Sequence, residues 1–149
     1  EMQFYGSIER SDYFPQFSDI DIDVFTPNVN STLFKLRQFL STEEDKVQNV
    51  VWSTTKPTLS KFRCKKIKFQ NDFIKLEIGV YDIKYKKKLI KVREYKKNVP
   101  YYAIIILCIV KFIYYNMNIL STSQLSKFKK FMHGNVLGME DDYNVIKST

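Results

Sequence analysis

Three aspartates alternate with apolar residues in the run Asp-Ile-Asp-Ile-Asp-Val, which occupies residues 19–24. Alternation with a period of two predicts a β-strand that has one apolar face and one acidic face. Aspartate is a poor strand former, and like charges on one strand face repel each other unless a cation lies between them. The run is therefore typical either of an exposed edge strand with an acidic outer face or of a strand that binds metal.

The first two of these aspartates, Asp19 and Asp21, have the spacing that a metal site needs. Side chains two residues apart on one strand face project about 6 to 7 Å apart, close enough to share one cation or to bridge two. Carboxylate oxygens are the hard ligands that Mg²⁺ and Mn²⁺ prefer. Phosphoryl and nucleotidyl transfer use such a cation to neutralise a triphosphate, so the pair predicts a site for a divalent metal and a nucleoside triphosphate.

A Gly-Ser pair, Gly6-Ser7, precedes the acidic run by eleven intervening residues. Glycine lets the backbone approach phosphate closely, and the serine hydroxyl and nearby backbone amides can donate hydrogen bonds to phosphate oxygens. Together, Tyr5-Gly6-Ser7 and residues 18–22 resemble the signature of the polymerase-β-like nucleotidyltransferase superfamily. That signature is a Gly-Ser pair, a spacer, an acidic-hydrophobic-acidic strand and a third acid on a later strand. The likeness is to poly(A) polymerase-like and other small nucleotidyltransferase-domain proteins, including those of large DNA viruses.

The resemblance implies three catalytic, metal-binding carboxylates. Two are Asp19 and Asp21, and the third is Glu77, which stands in a hydrophobic-acidic-hydrophobic triplet on a later predicted strand. The family more often has aspartate at this third position. Asp72, in the preceding turn, and Asp82, after the strand, are the alternatives.

Further residues are implied to bind the nucleotide, namely Gly6, Ser7, Ser18 and Arg10. Ser18 has a structural alternative, and Arg10 can equally be an exposed loop arginine. Asp23 shares the acidic face and is interpreted as a solvated acid or one behind the metal ligands. The single histidine, His133, is interpreted as structural.

The fold implied by the resemblance is α/β (α+β): a small mixed sheet that carries the acids on one face, is backed by helices and is followed by a C-terminal helical extension. Residues 1–97 would form the nucleotidyltransferase core. Residues 98–149 would form the extension and pack on the core as a single compact unit.

Local patterns add the elements of the first half. Ser31-Thr32 predicts the N-cap of a helix of about ten residues. β-rich runs at residues 50–52, 62–69 and 73–80 predict strands, and the last two are expected to pair antiparallel.

The second half is predicted to be helical. Pro100 starts a helix that runs from Tyr101 to about Asn118. A short amphipathic helix follows over residues 124–133, capped by Ser121-Thr122-Ser123 and ended by Gly134. Residues 135–149 have no clear periodicity and are predicted as a surface loop or a packed extension.

The apolar stretch from Tyr101 to Leu120 has nearly the length of a membrane span, about 20 residues. Lys111 lies near its middle, and an ionised group there costs at least about 2.5 kcal/mol on insertion scales. A buried core helix is therefore predicted and no membrane span is expected.

The net charge of +8, from 24 Lys and Arg against 16 Asp and Glu, favours polyanionic partners such as RNA. An AT-biased genome would produce the same lysine-rich composition, so the charge does not decide the partner. Two cysteines without a disulfide framework, and no signal-peptide pattern, predict a reducing intracellular compartment, the cytoplasm.

These features lead to one main hypothesis and two alternatives. The main hypothesis is a metal-dependent enzyme that moves a nucleoside monophosphate, AMP from ATP, to a hydroxyl group at an RNA 3′ end. One alternative is a transferase that acts on a protein or a small molecule. The other is a catalytically inactive module that keeps the fold and binds nucleic acid or a protein partner.

Overall fold

The computed structural model describes residues 1–42, 46–117 and 119–146 of the chain. Within those residues, six strands form one mixed sheet in the order β1-β2-β5-β4-β3-β6. The elements in chain order are β1 (Met2–Tyr5), β2 (Ile20–Thr26), α1 (Val29–Leu40), β3 (Val47–Thr54), β4 (Ser60–Gln70), β5 (Lys75–Asp82), α2 (Lys86–Lys97), α3 (Tyr101–Phe112), α4 (Thr122–Leu137) and β6 (Asp141–Ile146). The predicted α+β class with a mixed sheet is confirmed.

The acidic run lies inside the sheet. Strand β2 pairs antiparallel with β1 on one side and parallel with β5 on the other. The register places Asp21 opposite both Tyr5 and Glu77. The interpretation of the run as an edge strand is therefore wrong, whereas the predicted antiparallel pairing of β4 with β5 is confirmed.

The two sheet faces bury different cores. On one face, apolar residues of β2 and β5, such as Val24 and Val80, pack around Leu33 of α1. On the other face, Trp52 and Tyr81 pack with residues of α2 and with the end of α4. The aspartates of β2 share this second face, so α2 and α4 are the helices that lie over the acids.

Helix α1 begins earlier than predicted. Its N-cap is Asn28, whose Oδ1 accepts a hydrogen bond from the backbone N–H of Ser31 at 3.0 Å. The predicted cap at Ser31-Thr32 is therefore wrong. The Thr32 hydroxyl instead lies 2.8 Å from the Thr26 hydroxyl, which ties the first turn of the helix to the end of β2.

Helix α3 begins at Tyr101 as predicted, and a π-helical turn over Ile113–Met117 follows it. The predicted end at Asn118 lies outside the described residues. Only one side of α3 is covered, around Ala103 and Leu107, and the opposite side is exposed at Ile105, which is 57% accessible. The prediction of a buried core helix is therefore wrong for half of its surface.

In the described part of the chain, no single helix has both the length and the apolarity to cross a membrane. One pair of helical segments, Ile83–Lys97 and Tyr101–Met117, passes that test together by length and composition, but it is bent by 83°.

Helix α4 has the predicted cap, because Ser121 and Gln124 form a reciprocal capping box. It does not end at Gly134 but continues to Leu137, where Gly138 adopts a φ of +59° and closes the helix. A mid-helix glycine costs about 1 kcal/mol relative to alanine, which burial of Leu137 in the core offsets. The predicted stop at Gly134 is therefore wrong.

The C-terminal segment contributes to the sheet as well as to the helical layer. After α4 the chain forms β6, which pairs antiparallel with β3 at the sheet edge. Residues 98–149 thus include a strand that the sequence pattern did not predict, and the alternative of a surface loop is wrong for residues 141–146.

Candidate active site

A cleft of about 590 Å³ opens on the acidic face of the sheet, near the starts of β2 and β5. Its walls come from the turn after β1 and from α2, α3 and α4. Among the described residues, five acids and seven basic side chains line it, the latter being Arg10, Lys66, Arg93, Lys96, Lys97, Lys111 and Lys129. The cleft therefore suits an anionic ligand, with a few carboxylates at its base.

The Gly6-Ser7 turn forms one wall of this cleft. The pair opens a 3-10 turn over Gly6–Glu9, and Gly6 has a φ of +76°, which favours glycine. A Cβ atom on Gly6 would lie only 2.2 Å from Oδ2 of Asp21. Glycine therefore lets the Asp21 carboxylate sit directly against the turn, which brings the two predicted motifs together.

Asp21 and Glu77 form the acidic centre of the cleft. They are register partners on the parallel strands β2 and β5. Burial, followed by the neighbouring Glu77 charge, raises the pKa of Asp21 to about 7. Asp19 adds to this shift, whereas Arg93 and Lys66 oppose it. The ionised form of Asp21 is therefore disfavoured at this position, mainly because the side chain is buried.

Glu77 is neutralised by two lysines of the adjacent strand β4. Lys66 Nζ donates a short hydrogen bond to Glu77 Oε1, and Lys68 Nζ lies 3.2 Å from Oε2. Burial opposes ionisation of Glu77, but these lysines hold its pKa below the usual value. Glu77 is therefore a carboxylate at neutral pH with both of its oxygens engaged.

The donor atoms around Asp21 fit a hard divalent cation. Carboxylate oxygens are the hard ligands that such a cation prefers, and Asp21 and Glu77 supply them from neighbouring strands. The elevated pKa of Asp21 marks a place where added positive charge would be stabilising. Within the described residues, no group of three or more His, Cys, Asp or Glu side chains is arranged to hold a metal. A metal bound to Glu77 would compete with Lys66 and Lys68 for its carboxylate.

Two of the predicted site residues lie outside the cleft. Asp19 precedes β2 and is exposed, although it is near enough to raise the pKa of Asp21. Ser18 is buried, and its Oγ accepts a hydrogen bond from the backbone N–H of Phe14 at 3.1 Å. The contacts of Ser18 are those of a residue that shapes the loop before β2.

Arg10 lines the cleft but is engaged by Asp12. Arg10 Nε lies 2.8 Å from Asp12 Oδ1, and Lys111 Nζ donates to Asp12 Oδ2 at 2.7 Å. Asp12 and Lys111 are both buried, so this carboxylate joins the loop after the Gly-Ser turn to helix α3. Lys111 thus lies in a polar contact of the protein interior.

Asp23 is buried, so of its two interpretations, a solvated acid or one behind the metal ligands, the first is wrong. Its carboxylate accepts two hydrogen bonds from Arg93 of α2, at 2.7 Å from Nε and 3.1 Å from Nη2. The Arg93 guanidinium also lies 3.5 Å from the centroid of the Tyr5 ring. Arg93 therefore fixes helix α2 to the two strands that carry the Gly-Ser turn and Asp21.

The alternatives for the third acid lie elsewhere. The Asp82 carboxylate accepts a hydrogen bond from the backbone N–H of Lys84 at 2.9 Å and caps the turn after β5. Asp72 is exposed in the turn before β5. Of the three candidates, Glu77 is the one that lines the cleft beside Asp21.

Basic and aromatic residues interleaved over 61–69 and 81–97 suggest contacts with a nucleic-acid backbone, and four of the basic cleft residues lie in these stretches. Of the basic cleft residues, the sequence singles out Arg10 alone as a nucleotide-binding residue. Arg93 and Lys96 lie in a lysine-rich stretch where they stand out only through the helical period, which directs every third or fourth residue to one side. His133 also lines the cleft. Burial and the nearby charges of Arg10 and Lys96 lower its pKa to about 4, so it is a neutral imidazole among cations.

Comparison with known proteins identifies one family. Residues 1–114 match the family model of the nucleotidyltransferase domain. The match includes the Gly-Ser turn, the acidic strand and β5, and it extends past residue 97, where the sequence analysis placed the end of the core. No curated protein matches the chain.

Proposed function

Because the chain belongs to the nucleotidyltransferase domain family, we propose that it transfers AMP from ATP to the 3′ hydroxyl of an RNA, with Mg²⁺ or Mn²⁺ as its metal. The observation that carries this proposal is the contact between Gly6 and the Asp21 carboxylate at the base of a cation-lined cleft. A triphosphate needs positive walls, and the metal that accompanies it needs carboxylates.

The proposed roles follow the positions of the side chains. Gly6 and Ser7 would hold the triphosphate through the backbone of the turn, with Arg10 beside them. Asp21 would bind the metal, joined by Asp19, which lies outside the cleft but is near enough to add to the raised pKa of Asp21. When bound, the metal would neutralise the phosphates and lower the pKa of the attacking hydroxyl.

Glu77 is proposed to lie nearest the attacking hydroxyl. Its carboxylate is held by Lys66 and Lys68 in the structure, and an incoming triphosphate offers Lys66 a competing anionic partner. Release of Glu77 by Lys66 would then coincide with nucleotide binding. Ser18 is proposed to support Asp19 indirectly, because the Ser18 hydroxyl accepts a hydrogen bond from Phe14 and so shapes the loop that precedes Asp19.

The choice of RNA as acceptor rests on charge. The cleft is rich in lysine and arginine, and the net charge of +8 favours a polyanion over a neutral acceptor. We also propose a reducing, cytoplasmic location, in keeping with the free thiols of Cys64 and Cys108. Residues 98–149 are proposed to pack with the core as one unit, since β6 completes the sheet edge beside β3.

One incorporation assay tests this proposal. Wild-type protein is incubated with each of the four labelled triphosphates, with Mg²⁺ or Mn²⁺, and with RNA, protein or small-molecule acceptors. We expect labelled AMP on RNA, and loss of labelling with retained RNA binding when Asp19 and Asp21 are both changed to Ala. Labelling of protein or a small molecule alone would contradict the RNA acceptor, and a wild type that incorporates nothing would contradict the proposed function.

A further inference from the structure

A group of aromatic side chains stands beside Asp19, outside the cleft. Phe17 stacks on Tyr115 with ring centroids 5.0 Å apart and planes inclined by 30°. Phe14 contacts the same tyrosine ring at 5.7 Å. We define Phe14, Phe17 and Tyr115 as the aromatic platform.

The platform is held rigidly from below. Ser18 is buried and accepts a hydrogen bond from the backbone N–H of Phe14 at 3.1 Å. Tyr114 packs edge-on against Tyr115, with ring centroids 4.9 Å apart. The Tyr114 hydroxyl lies 3.1 Å from the Thr122 hydroxyl. The ring of Tyr115 is thus fixed from several sides.

Its outer ring nevertheless remains open to solvent. Phe17 is 45% exposed even though it is stacked on Tyr115. The exposed part of this ring is apolar surface that is available to a ligand. A fixed and exposed aromatic surface is what base-stacking proteins present to a single strand.

Asp12 connects the platform to the cleft. It directly precedes Tyr13, lies two residues before Phe14 and contacts both Arg10 and Lys111, which line the cleft. Lys111 lies one helical turn before Tyr115 on the same helical segment. Burial, together with the charge of Asp19, raises the pKa of the Tyr115 hydroxyl, and the same Asp19 charge adds to the raised pKa of Asp21. Asp19 is therefore close both to the platform and to the acidic centre of the cleft.

We propose that the aromatic platform is a stacking site for a nucleobase of the substrate, either the base of the incoming triphosphate or the terminal base of the acceptor strand. This inference rests on the proposed function, whose substrates both carry such a base. Both sources carry a planar base attached to a phosphorylated ribose. The exposed ring would stack on the base, and the cations of the cleft would bind the phosphates.

A tryptophan at position 17 would report stacking directly. The wild type contains a single tryptophan, Trp52, whose ring lies beneath the cleft residues Arg93 and Lys96. The wild type is titrated in parallel, so that only the quenching that Phe17→Trp adds to the wild-type signal is attributed to the platform. The ligands are ATP, a single-stranded oligonucleotide without a triphosphate, and inorganic tripolyphosphate. We expect quenching by one or both base-carrying ligands and none by tripolyphosphate, and the quenching ligand identifies the source of the base.

Affinity measurements provide the second readout. Phe17→Leu should weaken binding of the quenching ligand about tenfold, the loss expected for one stacked base. Phe39→Leu is the matched control, since Phe39 is 84% exposed on α1 across the sheet, and it should bind like the wild type. Tyr115→Phe keeps the ring and should retain binding, and urea unfolding of Phe17→Leu checks that the Leu variant is folded.

The proposal is overturned if neither base-carrying ligand binds, if both bind without quenching, or if Phe17→Leu binds like the wild type. These results are separable from the proposed function. If nucleotide is incorporated but the tryptophan at position 17 is not quenched, the stacking site is refuted and the proposed function stands. If that tryptophan is quenched but no nucleotide is incorporated, the transferase activity is refuted and the stacking site stands.

Discussion

Residue 6 must be glycine for two separate reasons, its φ of +76° and the 2.2 Å that would separate a Cβ atom from Asp21 Oδ2. We predict that Gly6→Ala lowers the free energy of unfolding by about 1 to 3 kcal/mol through backbone strain. It should also lower nucleotide incorporation about a hundredfold or more, because the Asp21 carboxylate must move. Urea unfolding and initial-rate measurements check both effects.

Gly134 provides the matched control for this substitution. It lies within α4, its φ is not positive, and the nearest atom to an added Cβ is the Met139 carbonyl oxygen at 3.9 Å. Gly134→Ala should therefore leave the rate unchanged and stabilise the protein by up to about 1 kcal/mol. Equal effects of the two substitutions on the rate would refute the role assigned to Gly6.

The chain has one histidine, so NMR can follow His133 without interference. We predict that its imidazole titrates with a pKa of about 4 in the folded protein, because burial and the charges of Arg10 and Lys96 disfavour the imidazolium ion. The unfolded state binds a proton more readily, with a pKa of 6.5, so stability should fall as pH drops from about 6.5 toward 4. A folded-state titration near 6.5 would show that His133 is solvated.

The residues that sequence alone could place at the site are those with local signals. Gly6, Ser7 and Asp21 were predictable because the turn and the strand alternation lie within a short stretch. Arg93 could not be predicted, since it reaches Asp23 from a helix 70 positions later and depends on how α2 packs over the sheet. Asp19 shows the opposite case, because alternation places it on the right face but not within the cleft.

At the scale of elements, one buried ion pair joins the loop after the Gly-Ser turn to helix α3. We predict that Asp12→Ala lowers the free energy of unfolding by about 3 kcal/mol, because Lys111 would remain buried without its carboxylate partner. Burial already lowers the pKa of Lys111, so part of this cost can be relieved by loss of its proton. Urea unfolding at neutral pH measures the effect.

Another ion pair supplies the comparison for Asp12. Glu9 and Lys97 lie 2.7 Å apart, but both are exposed to solvent. Glu9→Ala should therefore cost less than about 1 kcal/mol. A similar loss in both variants would mean that the contact between Asp12 and Lys111 adds no more than a surface pair.

Most elements were predictable from periodicity and their boundaries were not. The strand β2 and the pairing of β4 with β5 follow from alternating residues, whereas the start of α1 depends on a side-chain bond from Asn28 that competes with Ser31 as a cap. Strand β6 has no strong alternation of its own. It forms because β3 offers an unpaired edge, which is a property of the finished sheet.

At the scale of the whole molecule, the cleft cations act together as an electrostatic surface. We predict that binding of single-stranded RNA weakens steeply with salt, with a slope of about −0.7 in log K against log[salt] for each phosphate neutralised. Lys129→Ala, within the cleft, should reduce the magnitude of that slope by about 0.7. Lys61 is an exposed residue near the start of β4, and Lys61→Ala should leave the slope unchanged. Equal slopes for all three proteins would place RNA outside the cleft.

The central claim is that Asp21 binds the metal for nucleotidyl transfer, and the kcat/KM for nucleotide incorporation by Asp21→Asn tests it most directly. The amide removes a carboxylate charge that burial already disfavours, so the variant should fold. We predict a fall of about a thousandfold for Asp21→Asn, and a change of less than about twofold for Asp72→Asn in the exposed turn before β5. A folded Asp21→Asn protein that incorporates nucleotide at the wild-type rate would contradict the account.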